Sequence, residues 1–249
     1  MKMQKLSPDL LLNAYSQGLF PMADSAEAED VYWYDPEMRG QLPIRHLHIS
    51  RSLRKKVRKN PYTIVYNMDF SSVIRECGRA MPDRPETWIN SDIRAAFEAL
   101  HRAGYAHSVE AWQNGNLVGG LYGLAIGGAF FGESMFSRRT NASKICLIHL
   151  TAHLWRQGFT VFDTQFVNDH LKQFGVYELP RAEYLLRLKN AVMDNVQFVP
   201  SDLSSARVLP VETLASFSAD SGNIPGPVVS FSSSGTLVES FLQSMIHTS

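Results

Sequence analysis

The sequence predicts an α+β protein whose larger part is built on a mixed, mostly antiparallel sheet. Turn signals at 114–115 (Asn-Gly) and 127–128 (Gly-Gly) separate three apolar runs, a pattern typical of an antiparallel meander. A helical pattern over 141–157, with Asn141 as its expected cap, leads into a short strand over 160–163. Strand, helix and strand with short connections indicate a crossover between parallel strands. Hydrophobic residues make up 45% of the 249 residues, which is enough for a sizeable core.

The remaining elements follow from caps, periodicity and breakers. Ser7, Pro8 and an acid in the first turn begin a helix that Gly18 ends. Aromatic and β-branched residues predict a strand over 61–68. Further elements are predicted as helices over 70–80 and 91–104, a short helix after Asn168, a strand over 177–179 and a helix over 180–193.

Composition divides the chain into three parts. We expect a small N-terminal α/β domain over 1–60, a catalytic domain over 61–195 and a Ser-rich C-terminal extension over 196–249. The extension has thirteen serines from 201 onward and a single strong base, Arg207. It also contains apolar residues that can pack, and no function is assigned to it.

Basic residues concentrate in one segment, although 24 bases and 24 acids give a formal net charge of zero. From Arg45 to Lys59 there are seven Arg and Lys residues, and no acid occurs anywhere between Glu37 and Asp69. In the helix predicted there, Leu53 and Val57 lie four residues apart, which leaves basic residues to cover most of the remaining surface. Such a helix repels itself without an anion, so phosphate binding is favoured over an ordinary solvated face. Its basic residues are Arg51, Arg54, Lys55, Lys56, Arg58 and Lys59.

Several classes of protein are excluded. No apolar run approaches the roughly 20 residues that cross a bilayer, and the first residues lack the apolar core of a secretion signal, so we expect a cytoplasmic protein with no membrane partner. Cys77 and Cys146 form no metal-binding motif and are expected to be buried thiols. His149 and His153 have no acid beside them, which favours packing over zinc binding, and His170 is interpreted as structural. No metal site is expected.

Two carboxylates, Glu133 and Asp163, each follow an apolar run at a polar strand end. A carboxylate just past a buried strand carries a desolvation cost unless a cation or a hydrogen-bond donor meets it, and that partner could be a substrate amine. Gln165 lies two residues after Asp163 and is expected on the same side of the strand. We expect both carboxylates to face one shared cavity.

A series of short blocks in chain order resembles the leucyl/phenylalanyl-tRNA protein transferases, and the resemblance spans about residues 6–190. The blocks are 14–21, 47–52 (Leu-His-Ile-Ser-Arg-Ser), 87–89 (Thr-Trp-Ile), 106–110 (Ala-His-Ser-Val-Glu), 119–123 (Gly-Gly-Leu-Tyr-Gly), 132–137 (Gly-Glu-Ser-Met-Phe-Ser), 141–144 (Asn-Ala-Ser-Lys) and 168–170 (Asn-Asp-His). Each block alone is weak, whereas this collinear series is specific.

The resemblance implies an activity and a fold. Such enzymes transfer leucine or phenylalanine, and sometimes methionine, from aminoacyl-tRNA to the N-terminal amine of proteins that begin with Lys or Arg, which creates a degradation signal. It also implies a GNAT-like acyltransferase domain behind a smaller N-terminal domain, a monomer, and no metal or organic cofactor.

The resemblance further implies roles for individual residues. Asp163 and Gln165 match the family's Asp-x-Gln motif and are carried over as the catalytic pair. Glu133 is expected to hold an amino group; its alternative partner is Arg138 or Arg139. Other residues expected at the substrate site, by family position, are Leu121, Phe130 and Met135 around the donor side chain, together with Tyr15, Gly132 and Asn168.

The terminal adenosine of tRNA is expected to stack on Trp88. Two positions depart from the family pattern: Met22 stands where an aromatic often follows Phe-Pro, and Phe97 stands at a tyrosine position. We therefore expect either a one-sided clamp at Met22 or a substitute stacking residue in Trp33. The basic helix is expected to meet the phosphates of the acceptor stem.

Two other functions fit parts of the sequence. An acyltransferase that uses acyl-coenzyme A would share the fold, but the loop over 138–143 lacks the glycines that cradle a pyrophosphate. A non-catalytic RNA-binding module would keep the basic helix and use its carboxylates structurally.

Overall fold

The computed structural model describes residues 6–80, 85–199, 229–231 and 241. The helices in this part of the chain are α1 (Pro8–Ser16), α2 (Arg51–Lys59), α3 (Phe70–Cys77), α4 (Ser91–Arg102), α5 (Ala142–Gln157), α6 (Asp169–Lys172) and α7 (Arg181–Met193). The strands are β1 (Phe20–Ala23), β2 (Val31–Tyr34), β3 (Met38–Gln41), β4 (Thr63–Tyr66), β5 (Ala106–Gln113), β6 (Asn116–Ile126), β7 (Ala129–Ser137), β8 (Val161–Gln165), β9 (Tyr177–Pro180) and β10 (Val229–Phe231).

Eight of the described strands form one sheet in the order β10-β4-β5-β6-β7-β8-β3-β9. The pair β7–β8 is parallel and is connected through α5, whereas the other neighbouring strands are antiparallel. The predicted α+β class is therefore confirmed, together with the meander β5-β6-β7 and the crossover that follows it. Strands β1 and β2 form a separate two-stranded sheet.

The core consists of two hydrophobic clusters. The first contains buried residues of α2 and α5, including Leu53, Val57 and Ile148. The second contains buried residues of α1, α3, α4 and α7, such as Phe97. The apolar face predicted for the basic helix is thus confirmed, and Cys77 and Cys146 are buried free thiols as expected.

Three local predictions differ from the structure. Strands β7 and β8 continue to Ser137 and Gln165, so the two carboxylates lie inside strands and not just past their ends. Strand β3 was not predicted, because Arg39 and Gly40 carry no strand preference, and it joins the sheet between β8 and β9. Asn141 makes no capping bond; instead the Ser143 N–H donates to the Ser137 hydroxyl at 3.2 Å.

Most of the C-terminal extension lies outside the described residues. Where it is described, β10 pairs with β4, and Phe198 and Phe241 are buried in the first cluster. The boundaries proposed at 60 and 195 remain predictions. Among the described helices, none combines the length and apolar character needed to span a bilayer.

Candidate active site

The candidate site is a cavity where two parallel strands separate. Strands β7 and β8 pair only over residues 129–131 and 161–163. Beyond these pairs the strands diverge, and a cavity of about 940 Å³ opens between them. Its wall includes Glu133 from β7 and Gln165 from β8, together with Trp88 from the loop before α4. A split between parallel strands gives a ligand access to backbone and side chains that a continuous sheet would bury.

A β-bulge places Glu133 in this cavity. In the pairing of β6 with β7, Tyr122 lies opposite Ser134 and Gly123 lies opposite Gly132, so Glu133 is the extra residue. A bulge bends its strand and redirects the side chain of the extra residue. Glu133 therefore departs from the regular alternation of side chains along β7, and its carboxyl points towards Tyr15 and Gln165.

The carboxyl of Glu133 has two neutral hydrogen-bond donors. Its Oε1 atom accepts from the Tyr15 hydroxyl at 2.9 Å and from Nε2 of Gln165 at 3.3 Å. Burial raises the pKa of Glu133 to about 8; the charge of Asp163 adds to the rise, and the Tyr15 hydrogen bond opposes it. Arg138, one of the two alternative partners expected from sequence, instead pairs with Glu76.

Asp163 lies behind the cavity wall and not on it. Its side chain has no exposed surface, and its carboxylate accepts a two-pronged contact from Arg39, with Nη2 to Oδ2 at 2.7 Å and Nε to Oδ1 at 2.9 Å. The Tyr184 hydroxyl donates to Oδ2 at 2.7 Å. The buried Asp163 carboxylate is thus paired with a cationic side chain of the protein itself. The expectation that both carboxylates line one cavity holds only for Glu133.

Arg39 is itself enclosed. Its guanidinium lies over the ring of Phe20 at 4.5 Å and over the ring of Tyr184 at 4.7 Å, and Nη1 donates to the Gly18 carbonyl at 2.7 Å. Sequence reasoning missed Arg39, because an arginine in a four-residue strand gives no local signal. The available clue was indirect: a buried aspartate requires a cation somewhere in the chain.

Gln165 connects Asp163 with the cavity. Its backbone N–H donates to Oδ1 of Asp163 at 2.8 Å, while its side chain reaches Glu133. The backbone of Gln165 has a φ of 56°, in the left-handed region that residues other than glycine seldom adopt. A residue keeps such a strained backbone conformation only where the surrounding contacts hold it in place.

Apolar residues of the cavity wall form a slot. Leu121 and Met135 face each other across β6 and β7, and the ring of Phe162 completes the wall. Phe130 is placed elsewhere: it is fully buried and supports Phe162 in an edge contact at 5.4 Å between ring centroids. A side chain at Gly132 would bring its Cβ to 2.9 Å from the Phe162 ring, so glycine keeps the slot open.

Trp88 lies on the cavity wall beside the β1–β2 hairpin. The Ala23 N–H donates to the Trp88 carbonyl at 3.3 Å. In the hairpin, Met22 is directly opposite Tyr32, and Pro21 is opposite Trp33. Because successive residues of a strand face opposite sides, Trp33 lies on the other face from Met22 and is poorly placed to substitute for it.

The remaining expected residues have structural contacts. Tyr15 is fully buried and holds Glu133, and Phe97 packs edge-on against Tyr15 at 6.3 Å. Asn168 lines the cavity and also caps α6, since its side chain accepts from the Leu171 N–H at 2.9 Å. His170, interpreted from sequence as structural, lines the cavity as well.

The basic helix forms a separate groove. Arg51, Arg54, Lys55 and Arg58 line a depression of about 690 Å³ together with Ile49. Lys56 and Lys59 are exposed on the same helix. Within the described residues, no three potential ligands cluster as a metal site.

Comparison with known proteins identifies relatives of this chain. The family model described as leucyl/phenylalanyl-tRNA protein transferase matches residues 41–189, and that of its N-terminal domain matches residues 4–37. A leucyl/phenylalanyl-tRNA–protein transferase of Paramagnetospirillum magneticum is 54% identical over 196 residues, covering 79% of this chain and 94% of the relative. One of Rhizorhabdus wittichii is 51% identical over 190 residues, covering 76% of this chain and 77% of the relative. The chain therefore belongs to the leucyl/phenylalanyl-tRNA protein transferase family of aminoacyltransferases.

Proposed function

We propose that this protein transfers leucine or phenylalanine, and also methionine, from aminoacyl-tRNA to the N-terminal amine of proteins that begin with Lys or Arg. The observation that carries the proposal is the cavity between β7 and β8. It combines an apolar slot with a polar pair, Glu133 and Gln165, on one wall. A leucine or phenylalanine ester requires both: apolar contact for its side chain and polar groups for its reacting end.

The reaction is aminolysis of an ester. The lone pair of the acceptor amine attacks the carbonyl carbon, an amide bond forms, and the bond between that carbon and the ribose oxygen breaks. The neutral amine loses one proton as the amide forms, and the ribose oxygen gains one as it leaves. Because the ester is already activated, most of the catalysis is the alignment of two chain ends.

Glu133 holds an amino group in this proposal. With a pKa of about 8, its carboxyl is largely protonated at neutral pH when the site is empty. A bound ammonium group favours the charged form, so the carboxyl gives up its proton when the cation arrives.

Gln165 acts on the incoming amine, and Asp163 positions Gln165. The Gln165 Nε2 atom donates to Glu133, which leaves the amide oxygen as an acceptor for an amine N–H. Asp163 fixes the Gln165 backbone through its N–H and is itself held by Arg39. Of the two residues carried over from the family motif, Gln165 then contacts the substrate, and Asp163 acts by positioning Gln165.

The donor side chain occupies the slot formed by Leu121, Met135 and Phe162. The flexible thioether of Met135 adapts to donors of different shape. Trp88 stacks on the terminal adenosine, a contact worth roughly 1 to 3 kcal/mol per base.

The acceptor stem of the tRNA lies along the basic helix. His48, two residues before the cap of α2, donates its backbone N–H to the Phe174 carbonyl at 2.9 Å. Phe174 follows α6, whose Leu171 lines the cavity. This short connection supports a path for one tRNA from the basic groove to the site. The protein acts as a monomer in the cytoplasm, where charged tRNA and acceptor proteins coexist.

The test is a peptide aminoacylation assay. The full chain is incubated with leucyl-tRNA and a peptide that begins with Arg, and transfer of labelled leucine is measured. The same peptide with an acetylated N-terminus is the matched control, and it should accept no label. Absence of transfer to the free peptide would leave only an RNA-binding function, whereas transfer that requires acetyl-coenzyme A would indicate the acyl-coenzyme A alternative. Phenylalanyl-tRNA and methionyl-tRNA in turn rank the donors.

A further inference from the structure

Phe198, from the C-terminal extension, places its ring in the first hydrophobic cluster. It follows α7 and lies outside residues 41–189, which the family model matches, yet only 8% of its surface is exposed. Its neighbour Val199 is bonded twice to Gln157, at the end of α5. Nε2 of Gln157 donates to the Val199 carbonyl at 2.9 Å, and the Val199 N–H donates to Oε1 at 3.4 Å. These two bonds hold the segment against α5 and thereby fix where the Phe198 ring enters the core.

Two imidazole rings border the pocket that Phe198 fills. The Phe198 ring stacks on His107 with 4.2 Å between centroids and lies 4.6 Å from His153. Burial lowers the pKa of His107 to about 3 and that of His153 to about 4, so both rings are neutral at physiological pH. Among the described residues, neither ring nitrogen of His153 has a hydrogen-bond partner. The Phe198 ring occupies the space that water would otherwise take beside these polar atoms.

Phe198 also contacts the ring that supports the donor slot. Its centroid lies 5.7 Å from that of Phe130, and Phe130 meets the Phe162 ring edge-on at 5.4 Å. Phe162 lines the slot. Only one ring, that of Phe130, therefore separates Phe198 from the wall that a donor side chain would touch.

Phe130 is confined on its other sides. A Cβ at Gly123 would lie 2.5 Å from the Phe130 ring, so this ring lies directly against the backbone of β6. The Phe162 ring occupies a second side, and Phe198 occupies a third. Because a close-packed interior has few voids, a change in one ring shifts the rings that rest on it. A smaller side chain at position 198 would let Phe130, and then Phe162, withdraw from the slot.

We infer that Phe198 is a positioning residue for the donor slot and sets its depth through Phe130 and Phe162. The C-terminal extension, to which no function was assigned from sequence, then takes part in the choice of donor. A smaller residue at position 198 deepens the slot, and a deeper slot favours phenylalanine over the shorter leucine. The inference rests on the proposed function, because the ligand is the side chain of the esterified amino acid.

The binding of two unreactive donor analogues tests this inference without a transfer step. The analogues are 3′-deoxyadenosines that carry leucine or phenylalanine in amide linkage on a 3′-amino group. Calorimetry with the full chain gives both dissociation constants, and the ratio of the leucyl value to the phenylalanyl value is compared between variants. In Phe198→Leu this ratio should rise about ten-fold, the lower end of the discrimination that one methylene group gives in a hydrophobic pocket.

Gln157→Ala is a second variant that leaves the core side chains in place. It removes both bonds to Val199 and so loosens the segment that carries Phe198. The ratio should rise in the same direction but only about three-fold, because exposed hydrogen bonds contribute little net free energy.

Phe241→Leu is the matched control. Phe241 is another buried phenylalanine of the extension, and its ring packs on Trp155 at 5.7 Å, so its replacement should leave the ratio unchanged. An unchanged ratio in Phe198→Leu would overturn the inference, as would equal weakening of both analogues or an equal shift in Phe241→Leu. If Phe198→Leu does not fold, an unchanged ratio in Gln157→Ala overturns it instead.

The wild type separates this inference from the proposed function. If it bound neither analogue, both would be wrong. If it binds both analogues and transfers leucine to the Arg-initiated peptide, the proposed function stands whatever ratios the variants show.

Discussion

Arg39 and Asp163 form a buried, two-pronged ion pair between residues 124 positions apart, with Nη2 and Oδ2 separated by 2.7 Å. The pair fixes β3 against β8, and Asp163 in turn fixes the backbone of Gln165 at the cavity. An ion pair of this kind gives geometry more than net stability, because desolvation of both charges offsets much of their attraction. In the proposed chemistry, this ion pair keeps the Gln165 side chain in contact with Glu133.

Breaking this pair should destabilise the fold strongly. Arg39→Met keeps most of the apolar volume but leaves the Asp163 carboxylate buried without its cation, which costs about 3 to 5 kcal/mol. Urea denaturation followed by circular dichroism measures the loss. The matched control is Arg187→Met, which breaks the exposed pair with Glu183 and should cost less than about 1 kcal/mol. Similar losses in the two variants would mean that the buried pair is not what holds β3 in place.

Gln165→Ala should separate catalysis from binding. The side chain contacts Glu133 and does not line the basic groove, so tRNA affinity should remain within about two-fold. Loss of a group that orients the attacking amine should lower kcat about 10²-fold. Single-turnover transfer and tRNA binding are both measured. Gln173→Ala changes another glutamine, on the surface after α6, and should leave kcat unaltered. Parallel losses of affinity and rate in Gln165→Ala would make the residue architectural.

The carboxyl of Glu133 should make stability depend on pH. Its pKa is about 8 in the folded protein against an ordinary value of 4.5, so between these pH values the folded state holds a proton that the unfolded state has lost. The free energy of unfolding therefore falls as pH rises through this window. Glu133→Gln removes this pH dependence. Its free energy of unfolding, compared with that of the wild type, should therefore increase by at least about 1 kcal/mol when the pH is raised from 5 to 8.

Denaturation at pH 5 and at pH 8 measures this difference. Glu183→Gln, at an exposed position on α7, should follow the wild-type curve. If Glu133→Gln also followed it, the buried carboxyl would not be the titrating group.

Gly132→Ala should narrow the donor slot. The added Cβ would lie 2.9 Å from the Phe162 ring, so the ring, which lines the slot, must shift. We expect kcat/KM for phenylalanyl-tRNA to fall more than that for leucyl-tRNA, by about ten-fold for a displacement that costs about 1.4 kcal/mol. Phe162→Leu in the Gly132→Ala background should recover phenylalanine transfer, because the smaller side chain relieves the contact. A uniform loss for both donors without recovery would place the slot elsewhere.

The basic helix should determine the salt dependence of tRNA binding. Replacing Lys55, Lys56 and Arg58 together by Glu should weaken binding and lower the slope of log affinity against log salt by about one unit per lost phosphate contact. Lys189→Glu reverses one charge on α7, away from the basic helix, and should leave the slope unaltered. An unchanged slope in the triple variant would move the acceptor stem to another surface.

Local signals predicted much of this fold. The Ser7 cap, the glycine turns around β6 and the spacing of Leu53 and Val57 each involve residues within a few positions of one another. Such interactions are encoded in short windows, so the helices, the meander and the crossover could be read in order. The collinear blocks likewise led to the family, and to Glu133, Gln165 and Trp88 at the cavity.

Tertiary structure alone decided how these residues meet. No short stretch of sequence shows that Arg39 pairs with Asp163 or that Glu133 is the extra residue of a bulge. Nor does a short stretch show that Phe162 lines the slot in place of Phe130, or that Tyr32 lies opposite Met22. Each depends on the register between strands, and a shift of one residue would turn every side chain to the other face. The sequence by itself determined which chemical groups the protein possesses and which family it resembles. The packing of the sheet decided which of those groups touch, because a buried charge can be neutralised only by the partner that folding brings to it.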